Sequence, residues 1–324
     1  MRLGREHIMA ALRQPARWRA WEIAAWVAIW ATPLVFTQHA ALINEIAILA
    51  LFALSLDLIL GYAGIVSLGH AAFFGLGAYG AGLFAKLVMP DPLLGLAVGV
   101  ATAGILGALC SATILRGTDL TRLMVTLGVG LILMELANKL DWLTGGADGL
   151  QGVVMGPLLG QFEFDLSARV ASFYSLTVLF LVFLLIRVVV HSPLGISVQA
   201  LRDNRLRQAA KGHSVNARLS VVYTVAAAIA GAAGALLAQT TGFASLDVFD
   251  FHRSADVMLA LIIGGAGWLW GGLIGAIAFK VMHDLLSAMT PQYWTFWIGL
   301  FLVLLMLVGR ERLFRPTRWF SKTP

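Results

Sequence analysis

Leu201–Gly212, LRDNRLRQAAKG, lies inside a polar segment, residues 191–218, that separates two long apolar runs, Ala171–Ile186 and Ser220–Thr241. Arg202, Arg205, Arg207, Lys211 and Arg218 fall within this segment against one acid, Asp203. Between two membrane-crossing runs that bias marks a loop on the cytosolic face. A loop that only returned the chain needs a few residues. This one has the length and propensity for a short helix lying across the membrane surface. Two readings stand, a loop that sets topology and a docking helix for a cytosolic partner.

The flanking runs are typical of the whole chain. Of 324 residues 59% are hydrophobic and 12% charged, where soluble domains carry about a quarter charged. A mean hydropathy of +0.84 with several charge-free runs near helix-spanning length makes this an all-α, polytopic helical membrane protein. The 23 basic and 17 acidic side chains are too few to cover a soluble core built from those runs. The net charge of +6 suits loops and tails near anionic lipid and requires no nucleic acid. The single cysteine, Cys110, sits in an apolar run, so an internal disulfide and a cysteine metal site are both excluded.

In chain order, residues 1–20 are basic and read as an amphipathic cytosolic helix with Trp18 and Trp21 at the interface, without the pattern of a signal peptide. Spans follow near 22–37 and 40–60. Asn44, Glu45 and Asp57 lie near the ends of the second, where the two carboxylates are either functional or simply solvated. Pro90-Asp91-Pro92 makes a tight external turn before a span at 93–115 that contains the packing motif Gly95-x-x-x-Gly99. The next span, 123–140, ends with Glu135 and Lys139, a self-neutralising i,i+4 pair. Residues 141–169 form a longer outer segment that contacts an external protein or only turns the chain. Spans at 171–190, 220–241, 254–266 (short), 273–287 and 293–308, with one running to about Val88 from the glycine-rich stretch at 61–70, complete ten, and a basic tail over 310–324 lies on the same side as the N-terminus.

The most unusual apolar stretch is Gly61-Tyr-Ala-Gly64-Ile-Val-Ser67-Leu-Gly69-His70. Glycine at this density breaks a helix or lets backbones approach closely. Ser67 is placed to cap a new helix running to about Val88. A broken helix inside a membrane exposes amides that only protein or a water-filled route satisfies, and a helix N-terminus there favours a carboxylate. The spacing Gly61-x-Ala63-Gly64-x4-Gly69 returns as Gly264-x-Ala266-Gly267-x4-Gly272. Glycine-interrupted segments at corresponding places in two halves point to a repeat-built transporter core. On this reading Gly61, Gly64, Gly69 and His70, with Gly264, Gly265 and Gly267, line the route; tight small-residue packing is the competing account. No Gly-x4-Gly-Lys-Ser/Thr loop, HExxH pair or arginine-repeat span is present. An intramembrane enzyme would have to use Ser67 and His70, an i,i+3 pair with no orienting acid.

Four motifs, in order, carry a resemblance. They are GYAGIVSLGHAAFFGLGAY at 61–79, TGGADGL at 144–150, ALRDN at 200–204 with Gly212 eight residues on, and SADVMLALIIGGAGWLWGGLIGA at 254–276. Together they resemble the permease subunit of branched-chain amino acid ABC importers of the LivM type, over about residues 42–310. The resemblance implies a bacterial inner-membrane permease with about eight to ten spans, glycine-broken helices and both termini cytosolic. Its coupling helix would seat in an ATPase cleft through Arg202, Asp203, Asn204 and Gly212. Partners would be a homologous second permease, two cytosolic ATPase subunits that alone bind ATP and magnesium, a periplasmic substrate-binding protein, and lipid. The chain then divides into a basic N-terminal segment (1–20), a permease domain (21–309) and a basic tail (310–324), and does no chemistry itself.

Arg205 stands where an acid is usual, and Arg207 and Gln208 where small residues are usual, so the coupling segment is unusually basic and its ATPase is expected to carry an acidic cleft. Leucine, isoleucine and valine are the implied cargo. Related permeases carry urea, short amides or other amino acids. An ion-coupled secondary transporter using Asp57, Glu45 or Glu135 is the rival from another class.

Overall fold

Apolar runs closed by turn residues become helices throughout this chain. A computed structural model describes residues 18–308 apart from 116, 118, 166 and 213. The described residues form thirteen α-helices, and their only β pairing is two isolated bridges. Most of the expected N-terminal surface helix (1–20) and all of the basic tail (310–324) lie outside the described residues.

Helix α1 (Ala20–Val35) leads through a tight turn to α2 (Ala40–Asp57), which unwinds into a single π turn, Leu58–Tyr62. Then follow α3 (Ala71–Leu87), α4 (Pro92–Ile114), α5 (Asp119–Lys139), the short α6 (Asp141–Thr144) and α7 (Arg169–His191). Two short helices, α8 (Pro193–Asp203) and α9 (Arg205–Ala210), precede α10 (Val215–Thr241), α11 (Phe251–Gly264), α12 (Leu269–Met289) and α13 (Trp294–Val308). Six segments are long and apolar enough to cross a membrane: Thr37–Tyr62, Pro92–Ile114, Leu120–Lys139, Arg169–His191, Val215–Thr241 and Leu269–Met289. Helices α1 and α3 are apolar but shorter, at 16 and 17 residues. At about 1.5 Å per residue they reach about 24–26 Å, just under a bilayer's apolar thickness. The ten crossings read from sequence count these two together with α11 and α13, of 14 and 15 residues.

Helix α10 is the centre of the bundle, packed on α2, α3 and α4. Its Ala- and Gly-rich sequence allows this, since a side chain at Gly77 of α3 would strike the Gly231 backbone of α10. Gly95 and Gly99 of α4 form the packing face their spacing predicted, against Gln239 and Ala235 of α10. At one end of the bundle Asn44 ties three helices, donating to Thr240 Oγ1 at 2.9 Å while its Oδ1 accepts from Ser175 at 2.6 Å. Near the other end, Arg187 of α7 meets Glu22 of α1 at 2.9 Å, both side chains about nine-tenths buried, with the guanidinium 4.6 Å from the Trp18 ring.

Asp91 accepts from the Leu94 amide at 2.9 Å and Pro92 opens α4, so the predicted external turn is also a helix cap. The outer segment 141–168 clasps its own fold: Leu150 and Ala244 exchange backbone bonds of 2.8 and 3.1 Å, and the Gly156 amide donates to Pro90 O at 2.7 Å. Leu150 is fully buried there. Glu135 and Lys139 stand 3.8 Å apart on the surface, as their spacing predicted. Ser67 does not cap the helix after the first break. Helix α3 begins at Ala71, one turn later than expected, and its first amide donates to Ser254 Oγ of α11 at 2.9 Å.

Candidate functional site

Asp57, at the last turn of α2, is 1% exposed. Its Oδ1 accepts a hydrogen bond of 2.7 Å from the Gly267 amide, in the turn between α11 and α12. The first glycine break therefore docks on the second, and the two halves of the echoed sequence meet in space. A β-carbon on Gly61 would collide with both Asp57 Oδ1 and the Gly267 nitrogen. Gly267 itself has φ +81°, the left-handed region that glycine enters at no steric cost.

Onto this junction reaches Arg202 of α8. Its Nη1 donates to the Gly61 carbonyl, which the π turn leaves free of a helical partner, and its aliphatic stem lies beside Gly64. Arg202 also interacts electrostatically with Asp57. A helix outside the bundle is thus bonded to the broken end of a helix inside it.

Local sequence explains how α8 is held. Ser192 caps it, accepting from the Gly195 amide at 3.3 Å, and Pro193 occupies the first turn. Val198 and Leu201, three residues apart on one face, are buried against the body. Asn204 ends α8 and caps α9, its Oδ1 accepting from the Arg207 amide at 2.9 Å. Helix α9 buries no residue, and Leu206 on it is 86% exposed. Asp203, Asn204 and Gly212 are exposed on the same segment. All four residues expected to contact an ATPase are exposed, and Arg202 in addition reaches back with its head group to Gly61.

The residues expected along a route fall into three places. Gly61, Gly64 and Gly267 gather around Asp57 and Arg202. Gly264 and Gly265 press against Gly271 where α11 packs on α12. Gly69 abuts the Thr126 carbonyl, and His70 is fully enclosed, its Nε2 2.8 Å from Ser55 Oγ and its ring stacked on Phe52 at 5.5 Å. His70 thus pairs with Ser55, not with Ser67 as a nucleophile would require. The described residues contain no group of three or more His, Cys, Asp or Glu able to hold a metal.

At the opposite end of the bundle from α8, a cavity of about 450 Å³ opens between α2, α3, α10, α11 and α12. Lys280 at its wall is bonded to Glu45 at 2.6 Å and to Asp284 at 3.3 Å. At the start of α11, the backbone and side-chain hydrogen bonds from His252 hold the Asp250 carboxyl below the usual carboxylate range. Sequence reading passed over Lys280, His283 and Asp284, although three ionisable residues on one face of an apolar span are themselves a signal.

The sequence model of a family described as branched-chain amino acid transport system, permease component, matches residues 39–309. The high-affinity branched-chain amino acid transport system permease protein LivM of Escherichia coli (strain K12) is 29% identical over 296 residues, 83% of this chain and 68% of that protein. The protein of the same name from Salmonella typhimurium (strain LT2) is 29% identical over 298 residues, with the same coverage. No solved structure matches.

Proposed function

The chain belongs to the branched-chain amino acid transport system permease family, and from that premise we propose that it is the membrane subunit of an ATP-driven importer of leucine, isoleucine and valine. It is a multi-pass transport permease, not a member of an enzyme class. In the proposed assembly it pairs with a homologous permease in a bacterial inner membrane, with both termini and the α8–α9 face in the cytosol. A periplasmic protein delivers the amino acid to the opposite face. Two separate ATPase subunits bind ATP and magnesium.

The observation that carries this reading is the bond from Arg202 to the Gly61 carbonyl. Helices α8 and α9 present Leu206, Asp203 and Asn204 to a partner while their inner side grips the break at the end of α2. Movement of a partner bound to α9 would pull Arg202 from Gly61 and free the Asp57–Gly267 junction, where both backbones are glycine and pivot at little cost. The rigid part is short: α8 is 11 residues long, about 16 Å. A displacement of α9 therefore reaches the junction as a lever, undiluted by a flexible linker.

The test is uptake of labelled leucine, a basic amino acid and urea in cells lacking the gene, complemented by the wild-type chain or by Gly212→Trp. At Gly212 an added β-carbon meets nothing within 4 Å, so the bulk projects away from the fold, while the φ of +80° adds local strain at the end of α9; uptake is therefore compared at equal amounts of folded chain in the membrane. Restoration of leucine uptake by the wild-type chain alone is the expected result. Equal restoration by both chains would contradict docking at this face, and restoration of urea uptake alone would change the cargo.

A further inference from the structure

The cavity remote from α8 has the chemistry of a zwitterion site. Its floor is apolar and aromatic. Phe52 and Phe74, with ring centroids 4.7 Å apart, close it, and His70 stacks beneath Phe52. Its wall is ionic and near balance: Glu45 and Asp256 face it with Arg253 and Lys280, two acids against two bases, while His283, also on the wall, is engaged by Asp284 at 3.2 Å. A site for a free anion or cation would carry an excess of the opposite charge, whereas a ligand with both charges and no net charge fits a balanced wall.

The four groups are not equally available. Lys280 is engaged by Glu45 and Asp284, which makes that trio part of the frame. The side chains of Asp256 and Arg253, by contrast, make no hydrogen bond or close ion pair with the described residues, although Asp256 lies in the field of Arg253, His283, His252 and Lys280. They stand three residues apart on one face of α11. Asp256 is half-buried beside an apolar floor, a position in which an unpaired carboxylate is costly and an incoming ammonium is well received. A volume of about 450 Å³ lies in the range of small-molecule sites.

We propose that this cavity binds a zwitterionic amino acid with an apolar side chain. Asp256 accepts from the α-ammonium, Arg253 donates to the α-carboxylate, and the side chain rests on Phe52, Phe74 and Phe279. The identity of the side chain rests on the function proposed above; the zwitterion requirement follows from the wall itself. The floor also places the ligand above the plug formed by Phe52, Phe74 and His70, which separates it from the Asp57–Gly267 junction.

The experiment uses the assembled importer in lipid nanodiscs. The native Cys110 is replaced by alanine, and a cysteine reporter is introduced by Thr241→Cys on the exposed cavity rim. The rate of labelling by a charged thiol reagent is read with and without ligand. Leucine at about four times its dissociation constant is expected to slow labelling about fivefold. Isoamylamine and isovalerate, each lacking one of the two charges, are expected to slow it less than about twofold at that concentration. Asp256→Asn, which keeps the shape, and Arg253→Gln, at an exposed position, should each abolish the protection by leucine. Equal protection by isoamylamine would overturn the zwitterion assignment. Leucine uptake by the same reporter importer in liposomes separates the two claims. Uptake with labelling unaffected by leucine overturns the site, whereas absence of any branched-chain uptake overturns the function it rests on.

Discussion

The Gly267 amide donates to Asp57 Oδ1 at 2.7 Å, joining two glycine-rich breaks that lie 210 residues apart in the chain. Asp57 belongs to the first break and Gly267 to the second, so the junction is where the two halves of the bundle are latched. Arg202 adds a third contact from outside, so α8, which leads into the exposed α9, touches this junction.

Gly61→Ala tests the closeness of this junction. The added methyl would overlap Asp57 Oδ1 and the Gly267 nitrogen, and overpacking of this kind costs about 1–3 kcal/mol. A lower unfolding temperature of the purified chain and reduced leucine uptake are expected. Gly128→Ala, inside α5 where an added β-carbon meets nothing within 4 Å and the backbone is helical, should leave the temperature unchanged or slightly raised.

Asp57→Asn and Asp57→Leu separate a structural acceptor from a proton carrier. Asparagine retains an oxygen for the Gly267 amide, and most uptake should survive. Leucine orphans that amide, a loss of about 1–3 kcal/mol, and assembly should suffer. Abolition of uptake by Asp57→Asn in a fully assembled importer would favour ion coupling through this residue.

Leu206 is an exposed apolar residue on the proposed coupling face. Burying a leucine contributes about 1.5–3 kcal/mol, so Leu206→Asp should weaken ATPase binding by about thirtyfold. Its own fold loses nothing, because the side chain is 86% exposed. Co-purification of the ATPase with the permease pair reads this directly.

Glu22 and Arg187 form a buried pair, and removal of one partner leaves a stranded charge at a cost of about 3–5 kcal/mol. Glu22→Ala is expected to lower the unfolding temperature sharply, and Glu22→Ala combined with Arg187→Leu to recover part of it. A double variant no better than the single would show that the pair is not the source of the loss.

The helices and the exposed basic segment between α7 and α10 were legible because both follow from local pattern: apolar runs of spanning length, and basic residues crowded between two of them. The echo of Gly61 and Gly64 in Gly264 and Gly267 was legible as spacing, and the contact between the breaks gives it a physical basis. What the sequence hides is long-range. Ser254 caps a helix that begins 183 residues before it, while Ser67, the local candidate, stands too early. Arg202 reads as one more surface cation among five, because nothing in its neighbours tells that its side chain turns back to Gly61. The cavity is assembled from five helices, and its acids and bases look like isolated span-end charges until α11 and α12 are folded against α2.

The most direct measurement is uptake of labelled leucine into liposomes holding the two permeases and two ATPases, with the binding protein on the side remote from the ATPases. Wild-type importer is expected to need ATP on the ATPase side, and Arg202→Ala to hydrolyse ATP while moving little leucine, since the bond to Gly61 that carries the stroke is gone. Leucine uptake driven by a proton or sodium gradient without ATPases, or an unchanged ratio of leucine moved to ATP hydrolysed in Arg202→Ala, would contradict the account.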